Sequence, residues 1–157
     1  KLRATPHWAV ATVGVVGLGI AGYLTLVKLT NTALICGPLG GCDAVQESRY
    51  ALLLGIPVSL WGILAYGLVL ALWGAGSFGH GRAAQWARPG LLGLSLFSVL
   101  FSLFLTLIEI FIIRATCIWC VGSALATAVI CWLLMLDRAW VPLEISRKPR
   151  RRRKVRR

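Results

Sequence analysis

The sequence has little acid, little histidine and few polar stretches. Five of its 157 residues are Asp or Glu, against 17 Lys and Arg, and 58% are hydrophobic, with a mean hydropathy of +0.79. Ordinary soluble domains run at roughly 45–50% apolar even with glycine counted, so that class is excluded. The shortage of acid leaves a net charge of +12, which alone would point toward nucleic acid. Nine of the seventeen basic residues, however, fall in Arg147–Arg157, just after the last apolar run. A juxtamembrane basic cluster is more simply an orientation signal and a contact for anionic lipid. A run of like charges with nothing apolar to repay ordering is expected to be disordered. No nucleic-acid partner is expected.

Long apolar runs are what the chain has in abundance. A hydrocarbon core of about 30 Å takes about 20 residues of helix. Four stretches qualify: Trp8–Val27, Pro57–Trp73, Gly90–Ile113 and Ala115–Leu136. The second is the shortest, and the apolar Ala51–Ile56 upstream can extend it. The first is too long for the apolar part of a signal peptide, and no A-x-A-like site closes it. The fold class that follows is all-α and membrane-integral: a four-transmembrane-helix bundle over residues 1–140, with a basic tail at 141–157. Four crossings put both termini on one side. Fourteen basic residues lie on that side, including Lys1, Arg3, Arg82, Arg88 and Arg138, against Lys28, Arg49 and Arg114 on the other. The positive-inside rule makes the terminal side cytoplasmic and turns the Lys28–Ile56 connection and Arg114 outward. His7 and His80 fall on the inward side, so neither is expected to serve catalysis or bind a metal.

The outward connection is the more informative loop. Gly37, Pro38, Gly40 and Gly41 punctuate a turn, and Asp43 stands where it can cap a short helix, with Glu47 near its first turn. Val45, Tyr50, Leu52 and Leu53 give that helix an apolar side for the membrane surface. Gly55 and Pro57 end it, with Pro57 acceptable in the first turn of the next helix. In the first stretch, Ala11, Gly14, Gly17, Gly19, Ala21 and Gly22 permit close helix packing. The Gly-rich, basic segment Gly74–Pro89 reads as a simple inward connector.

Four of the five cysteines lie at the outward face: Cys36 and Cys42 in CGPLGGC, and Cys117 and Cys120 in CIWC. An extracytoplasmic compartment permits disulfides. Cys117 and Cys120, spaced i and i+3, share a helical face about 5–6 Å apart, close enough to bridge with modest adjustment. A helix N-terminus favours a thiolate, most strongly at Cys117. Glycines between Cys36 and Cys42 supply mobility, as a dithiol passing electrons to a second dithiol requires. Structural staples and a zinc site are the other readings of four cysteines, but C-x5-C with C-x2-C departs from the usual zinc spacing. Cys131 lies about 16 Å deeper along the last helix, where it reads as a small buried apolar residue.

The segment Cys36–Gly62, with its paired cysteines, S-R-Y and G-I-P-x-S-L-W-G, together with C-I-W-C, resembles bacterial members of the vitamin K epoxide reductase family. The resemblance runs from Trp8 to Leu136. It implies a quinone-dependent thiol oxidoreductase that supports disulfide formation by reoxidising an extracytoplasmic thioredoxin-like or DsbA-like protein. Cys36 would exchange with that partner, Cys42 would pass electrons to Cys117, and Cys120 would face a lipid quinone (ubiquinone, menaquinone or phylloquinone). Ser59 matches a serine kept beside the active site. Vertebrate members carry Asn just before that serine and Tyr four residues after the second active cysteine. Val58 and Ala124 stand there in this chain, so epoxide reduction is not implied. Many bacterial members carry a fused thioredoxin-like domain; without one here, the partner is expected to be a separate protein.

Trp61, Tyr66 and Trp119 are candidates to line a quinone pocket with Ser59 and Cys120, Trp119 equally an interfacial aromatic. Glu109 is the lone carboxylate of its apolar stretch, a rarity that suggests function; it can relay a proton, pair with Arg114 or reach the interface. Arg49 can guide substrate or simply be solvated. A reading of another class is a non-enzymatic membrane subunit with structural disulfides and a lipid- or partner-binding tail.

Overall fold

The computed structural model describes residues 8–36, 41–78 and 82–136, apart from the side chains of Ala83 and Ala84. His7, His80 and the basic tail lie outside the described residues. Four long helices form the body: α1 (Trp8–Thr30), α3 (Val58–Phe78), α4 (Arg82–Ile108) and α5 (Ile118–Leu136), with the short α2 (Cys42–Glu47) between α1 and α3. All four long helices are long and apolar enough to cross a membrane. The neighbouring pairs α1–α3, α3–α4, α4–α5 and α5–α1 pack together, so the helices close into a ring. The chain is a multi-pass, all-α membrane bundle carrying a short surface helix.

Small residues set the α1–α3 spacing. The Tyr66 ring lies against Gly17, where a Cβ would overlap it, and a Cβ at Gly62 would come within a tight 3.2 Å of the Ala21 methyl. Gly14 meets the flexible end of Leu70. Gly19 and Gly22 face open space, so they take no part in the close packing expected of them. Val69, Leu91, Ala126, Ile130 and Leu134 complete the central core.

The connection between α3 and α4 is shorter than a connector over Gly74–Pro89. Helix α3 continues to Phe78, and α4 begins at Arg82 with Pro89 inside it. Arg82, Ala83, Ala84, Gln85 and Ala87 are good helix formers. The polar Arg82, Gln85 and Arg88 hide the first two turns from a hydropathy reading. Pro89 removes one backbone donor, and membrane helices tolerate such a loss.

The surface segment also departs from expectation. The N-cap of α2 is Gly41, without a side-chain cap. The Asp43 carboxylate accepts instead from the Leu34 N–H, at 3.4 Å, tying the incoming chain to α2. Lys28 donates to the Gln46 carbonyl at 2.7 Å and holds the far end of α2 to α1. A 3-10 turn (Arg49–Ala51) follows, then an antiparallel hairpin of β1 (Leu52–Leu53) and β2 (Ile56–Pro57). Leu54 and Gly55 form its turn with φ of 56° and 80°. This positive pair suits the twist of a two-residue hairpin.

Helix α4 ends in a π-helical turn, Glu109–Ile113, closed by Arg114 in the left-handed conformation. The Glu109 carbonyl accepts from the N–H groups of Arg114 and Ala115. Helix α5 starts at Ile118 rather than at Ala115, leaving Cys117 as its N-cap, with the Cys117 carbonyl accepting from Val121 N–H at 3.0 Å.

Candidate functional site

The end of the bundle where α1 finishes and α5 starts gathers all four clustered cysteines. Cys42 and Cys117 are buried at 1% and 0% exposure, packed with Leu24, Val27, Leu34 and Val45; Cys36 and Cys120 border the same cluster, half-buried. Cys36 and Cys42 are joined in a disulfide, with Cα atoms 6.0 Å apart. Cys117, Cys120 and Cys131 are free thiols. Cys131 is buried well down α5, as its position along the helix implies.

Gly41 brings the two pairs together. A Cβ there would lie 2.8 Å from the Thr116 nitrogen and 3.0 Å from its carbonyl oxygen, both backbone atoms that cannot yield. Its φ of −100° is ordinary, so space, not conformational freedom, is what glycine provides. The loop thus rests on the residues leading into α5, and Cys42, the next residue, joins the Cys117 cluster.

At the N-cap of α5, Cys117 lies just ahead of the apolar span. Its thiol is held down from the ordinary 9.0 to about 7, chiefly by the hydrogen bond it shares with the Cys120 thiol, against the opposing effects of burial and of Glu109. A thiolate is therefore well populated at neutral pH, the form that exchanges disulfides.

Below the thiols, a cavity of about 480 Å³ opens at the centre of the helix ring. Its volume falls within the roughly 300–1,000 Å³ of small-molecule sites. Cys120 lines it and Cys117 does not. Ser59, Trp61 and Tyr66 line it too, whereas Trp119 does not. Trp119 lies one residue, about 100° of helix, from Cys120. It turns to the loop instead, donating to the Ile35 carbonyl at 3.1 Å and packing on Tyr23 with ring centroids 4.7 Å apart. Trp119 thus belongs to the loop that holds Cys36, not to the cavity wall. Val58 and Ala124 also line the cavity, leaving it apolar at both positions. The exposed Leu64, Leu68 and Phe97 form part of the same wall, giving the cavity a lipid-facing side between α3 and α4.

Polar atoms on this apolar wall are few and specific. The Ser59 hydroxyl oxygen is buried without a hydrogen-bond partner among the described residues. The Tyr66 hydroxyl reaches the Ser123 carbonyl at 2.9 Å and its hydroxyl at 3.0 Å. Ser95, Ser98, Ser102 and Thr106 present a column of hydroxyls from α4, with Ser102 meeting Thr127 at 3.5 Å. Sequence reasoning missed Ser123 and this column. The signal was present: spacings of three, four and four residues put those four on one helical face.

The pattern of paired thiols at one end of a four-helix bundle can be compared with known proteins. The model of the vitamin K epoxide reductase family matches residues 8–135. The chain belongs to that family. Thiol-disulfide oxidoreductase LTO1 of Arabidopsis thaliana is 31% identical over 121 residues, which cover 73% of this chain and 32% of that protein. The chain thus spans about a third of the length of this relative. Within the family match fall all four clustered cysteines, both ends of the cavity and Glu109, so every group named here belongs to the shared domain.

Proposed function

We propose that this protein is a membrane thiol–disulfide oxidoreductase. It takes electrons from an extracytoplasmic thioredoxin-like or DsbA-like partner, passes them through Cys36/Cys42 to Cys117/Cys120, and delivers them to a quinone. In the orientation read from the basic residues, both termini are cytoplasmic and the four cysteines face outward, at the plasma membrane of a bacterial cell. The single observation that carries the reading is the graded burial of the cysteines. Cys36 borders solvent, Cys42 and Cys117 are buried in one cluster, and Cys120 lines the cavity. That order matches the path that electrons need, from a soluble partner to a lipid-soluble acceptor.

Each residue has work that its position permits. The Cys36 sulfur is attacked by the partner's thiolate, which frees Cys42. Once the acceptor has oxidised Cys117 and Cys120 to a disulfide, the Cys42 thiolate attacks Cys117, breaking that S–S bond, and Cys120 leaves. A quinone is an apolar acceptor of two electrons and two protons. The cavity suits that chemistry: its wall is largely apolar, it has a lipid-facing side between α3 and α4, and Ser59 has an unsatisfied hydroxyl to offer a carbonyl oxygen. With Val58 and Ala124 apolar, Tyr66 and Ser123 supply the other polar edge.

The test is quinone reduction by purified protein in nanodiscs, driven by dithiothreitol or a thioredoxin-like dithiol, for the wild type and each Cys→Ala variant at 36, 42, 117 and 120. A loss of more than about 100-fold is expected for Cys117→Ala and Cys120→Ala with either donor, and for Cys36→Ala with the protein donor. The double variant Cys36→Ala/Cys120→Ala is expected to trap a Cys42–Cys117 mixed disulfide. Wild-type rates in all four single variants would sink the relay and leave a membrane subunit with a structural disulfide.

A further inference from the structure

Glu109 is a buried carboxylate on the cavity wall, and the relay described above leaves it without a part. It is 5% exposed, although an uncompensated charge is costly in such surroundings. Its position is built by the π-helical turn that ends α4. Such turns re-aim a side chain relative to a regular helix and concentrate at functional sites. The turn and the left-handed Arg114 after it bring Glu109 against the start of α5, where Oε2 accepts from the Cys117 N–H at 3.4 Å. Cys120, one helical turn beyond Cys117, lines the same cavity as Glu109. Glu109 therefore contacts the backbone of Cys117 and shares a cavity with Cys120. Its carboxyl group engages α5 rather than Arg114, which is exposed.

We propose that Glu109 is the catalytic base that takes the thiol proton from Cys120 when the Cys117–Cys120 disulfide forms. The assignment rests on the thiol-relay reading and adds the proton path to it. Before the step, Cys117 is a thiolate that has shed its proton to solvent, Cys120 is a thiol and Glu109 a carboxylate. As the S–S bond forms, the two sulfurs give up two electrons to the oxidant and the Cys120 proton passes to Glu109. A quinone-class oxidant takes up the two electrons and two protons, one from Glu109 across the shared cavity and one from solvent. Glu109 is left ionised for the next cycle.

Several titratable groups share this region. Cys117 and Cys120 face Glu109 from α5, Tyr66 faces the same cavity from α3, and Cys42 on α2 is held in its disulfide. Among them, Glu109 is the carboxylate that shares the cavity with the Cys120 thiol.

The experiment uses the full chain in nanodiscs and an oxidant that is not a quinone. The reduced protein is mixed with diamide at pH 6–9, and Cys117–Cys120 disulfide formation is followed by quenching and thiol alkylation. Glu109→Gln keeps an acceptor for the Cys117 N–H but cannot take a proton. It is expected to slow the step about 100-fold at pH 7, in line with the typical 10²–10⁴-fold worth of a positioned base. Its rate should then climb with pH up to 9, as hydroxide replaces the missing base, while the wild type levels off above about pH 7. A Glu109→Gln protein with wild-type rate and pH profile overturns the assignment. If that variant does not fold, Glu109→Asp carries the test. Its shorter arm is expected to slow the step about tenfold or more with the wild-type pH profile kept, and an unchanged rate overturns the proposal. A parallel assay with a short-chain benzoquinone separates the two readings. Glu109-dependent diamide oxidation without quinone reduction removes the quinone and keeps the base. Quinone reduction that is indifferent to Glu109 removes the base and keeps the quinone.

Discussion

At the scale of single residues, the site depends on a few hydrogen bonds in an apolar setting. The Cys120 thiol is the chief cause of the lowered Cys117 ionisation near 7, so removing it has a defined consequence. In the wild type, thiolate absorbance at Cys117 is expected to rise around pH 7; in Cys120→Ala the midpoint should move up toward 9. A reduced thiol at Cys117 is therefore reactive above neutral pH and quenched as pH falls below 7. Tyr66→Phe deletes the bonds to Ser123. It should cost about 1 kcal/mol of stability, the usual net worth of such a bond, read as a lower melting temperature in detergent. The four cysteines were legible in the sequence because their spacing carries its own chemistry. Tyr66 was legible only as an aromatic in the right helix, since its partner Ser123 is 57 residues away. Of the two readings of Trp119, the cavity-lining one has a rotational obstacle: a neighbour of Cys120 in sequence points elsewhere on a helix.

At the scale of elements, long apolar runs made the four helices plain, and their ends were plain only where a backbone signal stood in the sequence. Pro57 and Gly55 marked the start of α3 closely. The start of α4 was hidden because helix and hydropathy stop at different places: Arg82, Gln85 and Arg88 are polar yet helical. No side-chain pattern announces a π turn, so the aim of Glu109 could not be read in advance. The loop–helix contact at Gly41 is the element-level feature most open to test. Gly41→Ala places a methyl against the Thr116 backbone and is expected to cost about 1–3 kcal/mol, typical of overpacking. It should also separate Cys42 from Cys117, so the yield of the trapped Cys42–Cys117 species should fall with the melting temperature. The hairpin makes the opposite case. Leu54 holds a left-handed conformation that Asn accepts more readily, and its side chain is 85% exposed. Leu54→Asn should leave thiol exchange intact and raise stability in detergent by about 1 kcal/mol or less, measured by thermal unfolding.

At the scale of the whole molecule, the bundle gives each redox group a depth. The ring of α1, α3, α4 and α5 leaves a cavity at its centre, and the surface segment between α1 and α3 lies over the end where the thiols meet. Composition and periodicity made the four-helix class legible; the ring order was not, because every helix is apolar on nearly all sides. The gathering of the cysteines and Glu109 at one end also has an electrical consequence. In the proposed cycle the electrons and the proton that accompanies them stay at that end, and neither crosses the full low-dielectric span. One elementary charge carried across 100 mV corresponds to about 2.3 kcal/mol, so a reaction with such a crossing would be strongly voltage-dependent. Turnover in proteoliposomes is expected to be the same, within about twofold, when a potential of about 100 mV of either sign is imposed with a potassium gradient and valinomycin; a tenfold response would mean that charge traverses the bilayer. Disulfide formation by this bundle would then neither draw on the cell's proton-motive force nor add to it.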